Sequence, residues 1–267
     1  MRDLQALVRR APGRLQSLAG GVSTWTHLER LDAVRERLAD LYGYDVTTLR
    51  VATALGEEVT ESSSSAYVVV APPDRWRIVE RGHVEACDGD RIWSGTSTLV
   101  TESPCDQASI RDAGVIGICL YPGPLVSGLL FDTPEPGEVQ GRECWVVDGT
   151  VRLTGESELS AAALAVSGGR HVREFVGVEH RFWFDAETGI VLRHEGFIDG
   201  ERCSCIELVD VVIDRPLAAT EFGAPPGAVR RSTHELLRDH LAGLGVDPDL
   251  VDLDDPDQVR RALRGAL

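Results

Sequence analysis

Cys203 and Cys205 are separated by one residue, and with Cys144 and His194 they are the first group to test for metal or redox chemistry. A zinc knuckle sets at least two residues between its paired cysteines, on a turn. The single spacer here suits a strand instead, where both thiols take one face and pack as small hydrophobes. No metal site is expected. His171, His180 and His194 come from the region of strongest strand signal. Glu179 and His180 are adjacent, so on a strand they face opposite sides. No Gly-x-Ser-x-Gly elbow accompanies them, which leaves a serine hydrolase unsupported. The tract Asp247, Asp249, Asp252, Asp254, Asp255 and Asp257 suggests calcium. Val251 and Asp252, however, take the loop positions where an oxygen ligand and a glycine belong. A solvated face with helix-capping aspartates is expected there. With no coherent nucleophile, base and orienting group, no catalytic residue is expected, and an enzyme stands as the third reading.

Composition narrows the chemistry further. All 27 basic residues of the 267 are arginine, and the sequence contains neither lysine nor asparagine. Schiff-base catalysis, pyridoxal phosphate attachment and the Walker-type phosphate loop need a lysine. Cys-His-Asn proteases and protein kinases need an asparagine. These classes are excluded. A net charge of −16 and a pI near 4.8 repel phosphate backbones, so no nucleic-acid partner is expected. The first residues lack the uncharged run of a signal-peptide core, and no stretch approaches the length of a membrane span. The expectation is a cytoplasmic chain with six reduced cysteines and no cofactor.

The elements that must position these residues are read from hydrophobic period. Residues 3–10 form a short amphipathic start. Leu28, Leu31, Val34, Leu38 and Leu41 recur at helical spacing up to Gly43, and 20–26 suit a first strand. From about residue 47 the period becomes two, over 49–54, 66–71, 76–79, 84–87 and 91–94, with turn signals such as Asp88-Gly89-Asp90 between them. Residues 62–65, all serine, read as a loop or hairpin tip. Residues 101–137 break the rhythm and read as a lid-like excursion with one or two short helices. Strands resume over 143–147, 151–154, 178–184, 190–193 and 202–213, with a mobile loop at 155–170. Asp185 to Gly189 is a hairpin loop whose glycine suits the left-handed position. Ser232-Thr233-His234-Glu235 is a capping box, and Asp255-Pro256 starts a second tail helix.

From Phe182 onward the order of features resembles the LolA/LolB-like lipoprotein-carrier fold, shared with periplasmic stress-sensing domains. The residues that carry it are Phe182-Trp183-Phe184-Asp185, Thr188-Gly189-Ile190-Val191-Leu192-Arg193, Glu207-Leu208-Val209-Asp210-Val211, Pro216-Leu217, Phe222 and Pro225-Pro226-Gly227. Pro73-Asp74-Arg75-Trp76-Arg77 and Asp88-Gly89-Asp90-Arg91-Ile92-Trp93 look like the same family's early hairpins. The resemblance implies an α+β, mainly β fold: a curved antiparallel half-barrel sheet wrapping one or more helices, with a C-terminal helical appendage. The expected organisation is 1–44 as N-terminal helices and possible first strand, 45–228 as the LolA-like sheet, and 229–267 as the tail. Family carriers are exported and lack this tail, so the resemblance points to a cytosolic relative with a reassigned ligand or partner.

Trp25, Trp76, Trp93, Trp145 and Trp183 all fall on expected strands, where they either fill the core or border an apolar cavity. Phe182 and Phe184 share a face, and Trp183 takes the other. Trp76, Trp93, Trp145, Trp183 and Phe184 are therefore the candidate ligand-binding residues. The expected function is noncatalytic binding of an apolar small molecule, lipid, acyl chain or lipidated peptide in the concavity of the sheet. The alternative is a protein-interaction or regulatory module with a self-filled core, whose partner is another protein.

Overall fold

The computed structural model describes residues 2–42, 60–105, 114–123, 129–151 and 177–265. Within these, α1 (Arg2–Arg14) buries Leu4, Val8 and Ala11 at helical spacing. It leads into β1 (Leu18–His27), and α2 (Leu28–Tyr42) follows directly, burying Leu31 and Val34. Next come β2 (Glu61–Ala71), β3 (Arg75–Glu80), β4 (His83–Asp88), β5 (Arg91–Thr96) and β6 (Leu99–Pro104). A short helix, α3 (Gly114–Leu120), precedes β7 (Leu129–Phe131), β8 (Glu135–Val139) and β9 (Arg142–Val151). Then β10 (Glu179–Asp185), β11 (Val191–Ile198) and β12 (Glu201–Ile213) succeed one another through tight turns. The tail adds β13 (Val229–Ser232), α4 (Thr233–Gly243) and α5 (Pro256–Gly265).

The fold is α+β and mainly β, built on curved, unclosed, mostly antiparallel sheet with a C-terminal helical appendage. The chain forms two compact units. The first comprises Met1–Asp74 and Ser109–Leu217. Its strands run β2-β1-β12-β11-β10-β9-β7, all antiparallel, with β8 also on β9. Helices α2 and α3 pack on this sheet, α2 against β1, β11 and β12, and α3 against β11. Gly20 permits a close approach between strand backbones inside it. A Cβ there would lie 3.0 Å from both the Val209 carbonyl oxygen and Val211 Cα.

Strand register divides the two faces of this unit. Val147, Phe182, His194 and Ile206 stand opposite one another across β9, β10, β11 and β12, and all four are buried. The neighbouring positions Arg181, Trp183, Arg193 and Glu207 carry the charged face. Burying the first row in a mostly apolar environment stabilises the sheet at roughly 25 cal/mol per Å² of apolar surface removed from water.

The second unit comprises Arg75–Ala108 and Ala218–Leu267. Its strand order is β13-β6-β5-β4-β3, antiparallel except for the parallel β13–β6 pair. Ala86, Trp93 and Val100 form a buried cluster against Ala224 and Ala228. Ser232 caps α4: its hydroxyl accepts from the Glu235 amide at 3.1 Å, and Glu235 Oε2 accepts from the Ser232 amide at 2.6 Å. Asp255 caps α5, accepting from the amides of Asp257 and Gln258 at 2.9 and 3.2 Å. The acidic tract is thus partly capping chemistry, as Asp247 also accepts from the Asp249 amide.

Several expected boundaries shift. The serines 62–65 are strand, not hairpin tip: they pair with Thr26 to Ser23 of β1, and the Thr24 and Ser64 hydroxyls lie 3.0 Å apart. A neighbouring strand supplies the ladder that serine's own preference does not. Residues 101–104 and 135–137, read as part of an irregular excursion, belong to β6 and β8. Pro136 is tolerated because, among the described residues, β8 pairs only with β9, leaving an edge where no amide is required. The expected strand at 143–147 runs on through Asp148 and Gly149 to Val151, and residues 152–154 of the next expected strand lie outside the described residues. A Cβ at Gly149 would sit 2.9 Å from the Phe131 ring, so the glycine marks close packing rather than a turn. The expected strand at 49–54, the loop at 155–170, His171 and Gly43 lie outside the described residues. Among those described, no helix is long and apolar enough to cross a membrane.

Candidate functional site

The hairpin loop between β10 and β11 is the anchor from which the site is built. Asp185 is buried, and its carboxylate accepts from Arg142 Nε at 2.8 Å, the Thr188 amide at 2.7 Å and the Thr188 hydroxyl at 2.8 Å. Burial pushes its pKa up, but Arg142 and the Thr188 hydrogen bonds outweigh that and hold the carboxyl below its ordinary value. Gly189 closes the loop at φ +81°, and a Cβ there would meet the Leu7 carbonyl oxygen of α1 at 2.9 Å. The backbone of α1 therefore rests directly on the loop. Arg14 adds a second tie, donating to the Glu187 carbonyl at 2.7 Å.

This seating leaves a groove of about 470 Å³ between α1 and the β8–β9 side of the first unit. Leu4, Leu7, Pro134 and Trp145 supply its apolar lining, and Arg10 and Arg14 line the same space. Leu7, Arg10 and Arg14 recur at three- and four-residue spacing, so one stripe of α1 presents an apolar foot and two cations. Trp145 is 38% exposed, a large aromatic open to solvent beside that stripe. The volume lies within the range of small-molecule sites, and the lining has their usual character of apolar walls with few polar groups. Chemically the groove can shelter an apolar chain and hold an anionic end.

A row of buried aromatic rings lies in the same unit. Phe182 and Phe184 are stacked with centroids 5.5 Å apart, both 0% exposed, and Phe131 meets each edge-on. His180 and His194 join this aromatic row, with His180 Nδ1 and His194 Nε2 at 3.0 Å. Burial drives the His180 pKa down to about 4, while the Gly177 carbonyl works against it. Burial, with the neighbouring His180, pushes His194 well below its ordinary value.

A second cavity of about 370 Å³ is lined by Leu130, Asp148, His180 and Arg181 among others. It is a poor setting for acid–base catalysis. The His180 ring is engaged by His194 and Gly177, and its low pKa makes it a weak base near neutrality. Asp148 is likewise committed to Arg181, at 2.6 and 2.8 Å.

Of the residues singled out from sequence, Trp145 and Phe184 are direct register partners on one face of the first unit. Trp183 takes the opposite, charged face, with the Arg193 guanidinium 5.1 Å above its ring. Beside it Glu195 is held between Arg193 and Arg202. Trp76 and Trp93 belong to the second unit and take opposite faces of its sheet, since Trp76 pairs with Cys87 and Trp93 with Ala86. Both are buried, and the Trp93 indole donates to Glu102 at 3.4 Å. Only Trp145 of the five lines the groove. Leu4, Leu7, Arg10, Arg14 and Pro134 were not singled out from sequence. The amphipathic stripe of residues 3–10 was their visible signal, and its partner, Pro134, is remote in the chain.

No protein-family model matches this sequence, and no curated protein is similar to it. Among solved structures, MucB is similar with a TM-score of 0.45 and 14% identity over 85% of this chain. This chain spans 63% of the length of that MucB chain, which has also been solved in complex with MucA(peri). An uncharacterized conserved protein from Thermus thermophilus is similar with a TM-score of 0.40 and 9% identity, over 86% of this chain and 98% of that one. LolA superfamily protein NE2245 from Nitrosomonas europaea gives a TM-score of 0.31 and 10% identity, over 83% and 96%. A LolA superfamily protein is thus among the similar structures.

Proposed function

We propose that this chain is a noncatalytic binding protein whose groove under α1 holds an amphipathic ligand, an acyl chain with an anionic end. The observation that carries the reading is Trp145, an exposed indole beside Leu4, Leu7 and Pro134, with Arg10 and Arg14 lining the same groove. Burial of the chain against these residues provides the affinity, and the two guanidiniums orient the head. We place the ligand in this groove rather than in the sheet concavity expected from sequence because Phe182, Phe184 and Ile206 are fully buried side chains of the first unit.

Those buried side chains favour a second reading, an interaction module whose groove receives an apolar side chain of a protein partner. Titration of saturated fatty acids by calorimetry separates the two. Each added methylene contributes about 0.8 kcal/mol when buried, so dodecanoate is expected to bind roughly tenfold more tightly than decanoate. Trp145→Ala should weaken dodecanoate about tenfold, as loss of an aromatic anchor does. Arg10→Glu with Arg14→Glu should weaken it further than it weakens dodecanol. Affinity that is flat in chain length and indifferent to Trp145→Ala would overturn the amphiphile reading.

A further inference from the structure

The second unit brings two thiols together independently of the groove. Cys87 on β4 stands opposite Ile92 on β5, which stands opposite Ser103 on β6. Cys105, two residues beyond Ser103, therefore returns to the face of Cys87. Its amide donates to the Asp90 carbonyl at 2.9 Å, drawing the end of β6 over the β4–β5 turn. Asp88 holds that turn in place, its carboxylate accepting from the amides of Asp90 and Arg91 at 3.0 and 2.9 Å. The outcome is a Cys87 Sγ to Cys105 Sγ distance of 2.9 Å between two reduced thiols. Two non-bonded sulfurs do not ordinarily sit so close. Cys87 is buried, and Cys105 is half-buried at the surface end of the pair.

We propose that Cys87 and Cys105 are a modification site, a dithiol that a small-molecule disulfide of the glutathione class oxidises to an intramolecular disulfide. The Cys105 thiolate attacks one sulfur of the oxidant; a Cys105–glutathione mixed disulfide forms and one glutathione thiol leaves. The Cys87 thiol, giving up its proton, then attacks Cys105 Sγ. The internal bond forms, and the second glutathione leaves and takes that proton. Two protein thiols and one small disulfide become one protein disulfide and two small thiols, so atoms and electrons balance. Burial, and then the contact with Cys105, pushes the Cys87 thiol up to about 12. The resolving step should therefore be slow near neutrality and accelerate as pH rises.

The geometry selects this pair. Cys203 and Cys205 lie two apart along one strand, where a disulfide would need backbone movement. Cys119 is fully buried in α3. The bond would close a loop spanning 18 positions and staple the end of β6 to β4, restricting the unfolded chain.

The test uses the full chain, reduced, freed of reductant and incubated in mixtures of oxidised and reduced glutathione. Remaining thiols are trapped with N-ethylmaleimide and located by peptide mass spectrometry, with circular dichroism reporting the fold. The expected result is a single internal bond joining the peptides of Cys87 and Cys105. It should be lost in Cys105→Ser, kept in Cys119→Ser, and accompanied by a higher urea midpoint than the reduced protein shows. Glutathione remaining on Cys105 without resolution, or a different pair linking first in the folded chain, would overturn the proposal. Neither result bears on the groove, whose test is fatty-acid affinity.

Discussion

At the scale of single residues, the paired histidines of the first unit make pH a direct probe of the core. His180 and His194 are both buried, meet at 3.0 Å, and pack with Phe182. Burial and mutual repulsion disfavour two adjacent imidazoliums there, so both pKa values are held below the ordinary histidine range. The His180 pKa lies near 4 when folded against an ordinary 6.5. Between those values the unfolded chain binds more protons, and stability must rise with pH. The contribution is complete above about pH 6.5 and is lost as pH falls toward 4, with a slope of up to about 1.4 kcal/mol per pH unit for each histidine. Urea denaturation from pH 4 to 7 measures this. Replacing both rings, as His180→Phe with His194→Leu, is expected to flatten the profile over that window, leaving the carboxylates to act below it. An unchanged slope in the double variant would show that the histidines titrate normally in the folded state.

At the scale of elements, the β10–β11 loop and α1 act as one piece. Gly189 combines a left-handed φ of +81° with a 2.9 Å approach to the Leu7 carbonyl. Gly189→Ala therefore meets backbone strain and α1 at once. It is expected to destabilise the protein by about 1–3 kcal/mol and, by lifting α1, to weaken dodecanoate binding. Gly200→Ala, at φ +78° with open space around its Cβ position, supplies the control. It should lower the urea midpoint with little change in affinity. Equal losses of affinity in both variants would dissociate the loop from the groove.

The loop shows what the sequence could reveal. Asp185-Ala186-Glu187-Thr188-Gly189 announces a hairpin by local turn chemistry alone, and the capping boxes of α4 and the start of α5 are equally local. The alternation that separates Phe182 and Phe184 from Trp183 was also visible. What escaped depends on partners distant in the chain. The serine tract becomes strand because β1 lies beside it, β8 forms because β9 offers an edge pairing, and β13 pairs with β6 across more than a hundred residues. The groove joins residues 4–14 with 133–145, and the thiol pair depends on a register that no local motif encodes. Aromatic type alone singled out Trp145 together with Trp76 and Trp93, because burial on opposite faces is decided by pairing.

At the scale of the whole molecule, the chain carries a net charge of −16 yet lines one groove with two arginines. Long-range repulsion disfavours polyanions, whereas a single carboxylate or phosphate attached to an apolar chain meets local cations at short range. The two compact units are each discontinuous in sequence, and groove and thiol pair belong to different ones. Ligand binding and thiol oxidation can thus be measured separately. The most direct measurement is photo-crosslinking of the full chain with a fatty acid carrying a diazirine near its methyl end, followed by peptide mass spectrometry. Labelling concentrated on residues 4–14 and 133–145, and displaced by excess dodecanoate, is the predicted result. Labelling spread over Arg75–Ala108 and Ala218–Leu267, or undiminished by competitor, would contradict the account.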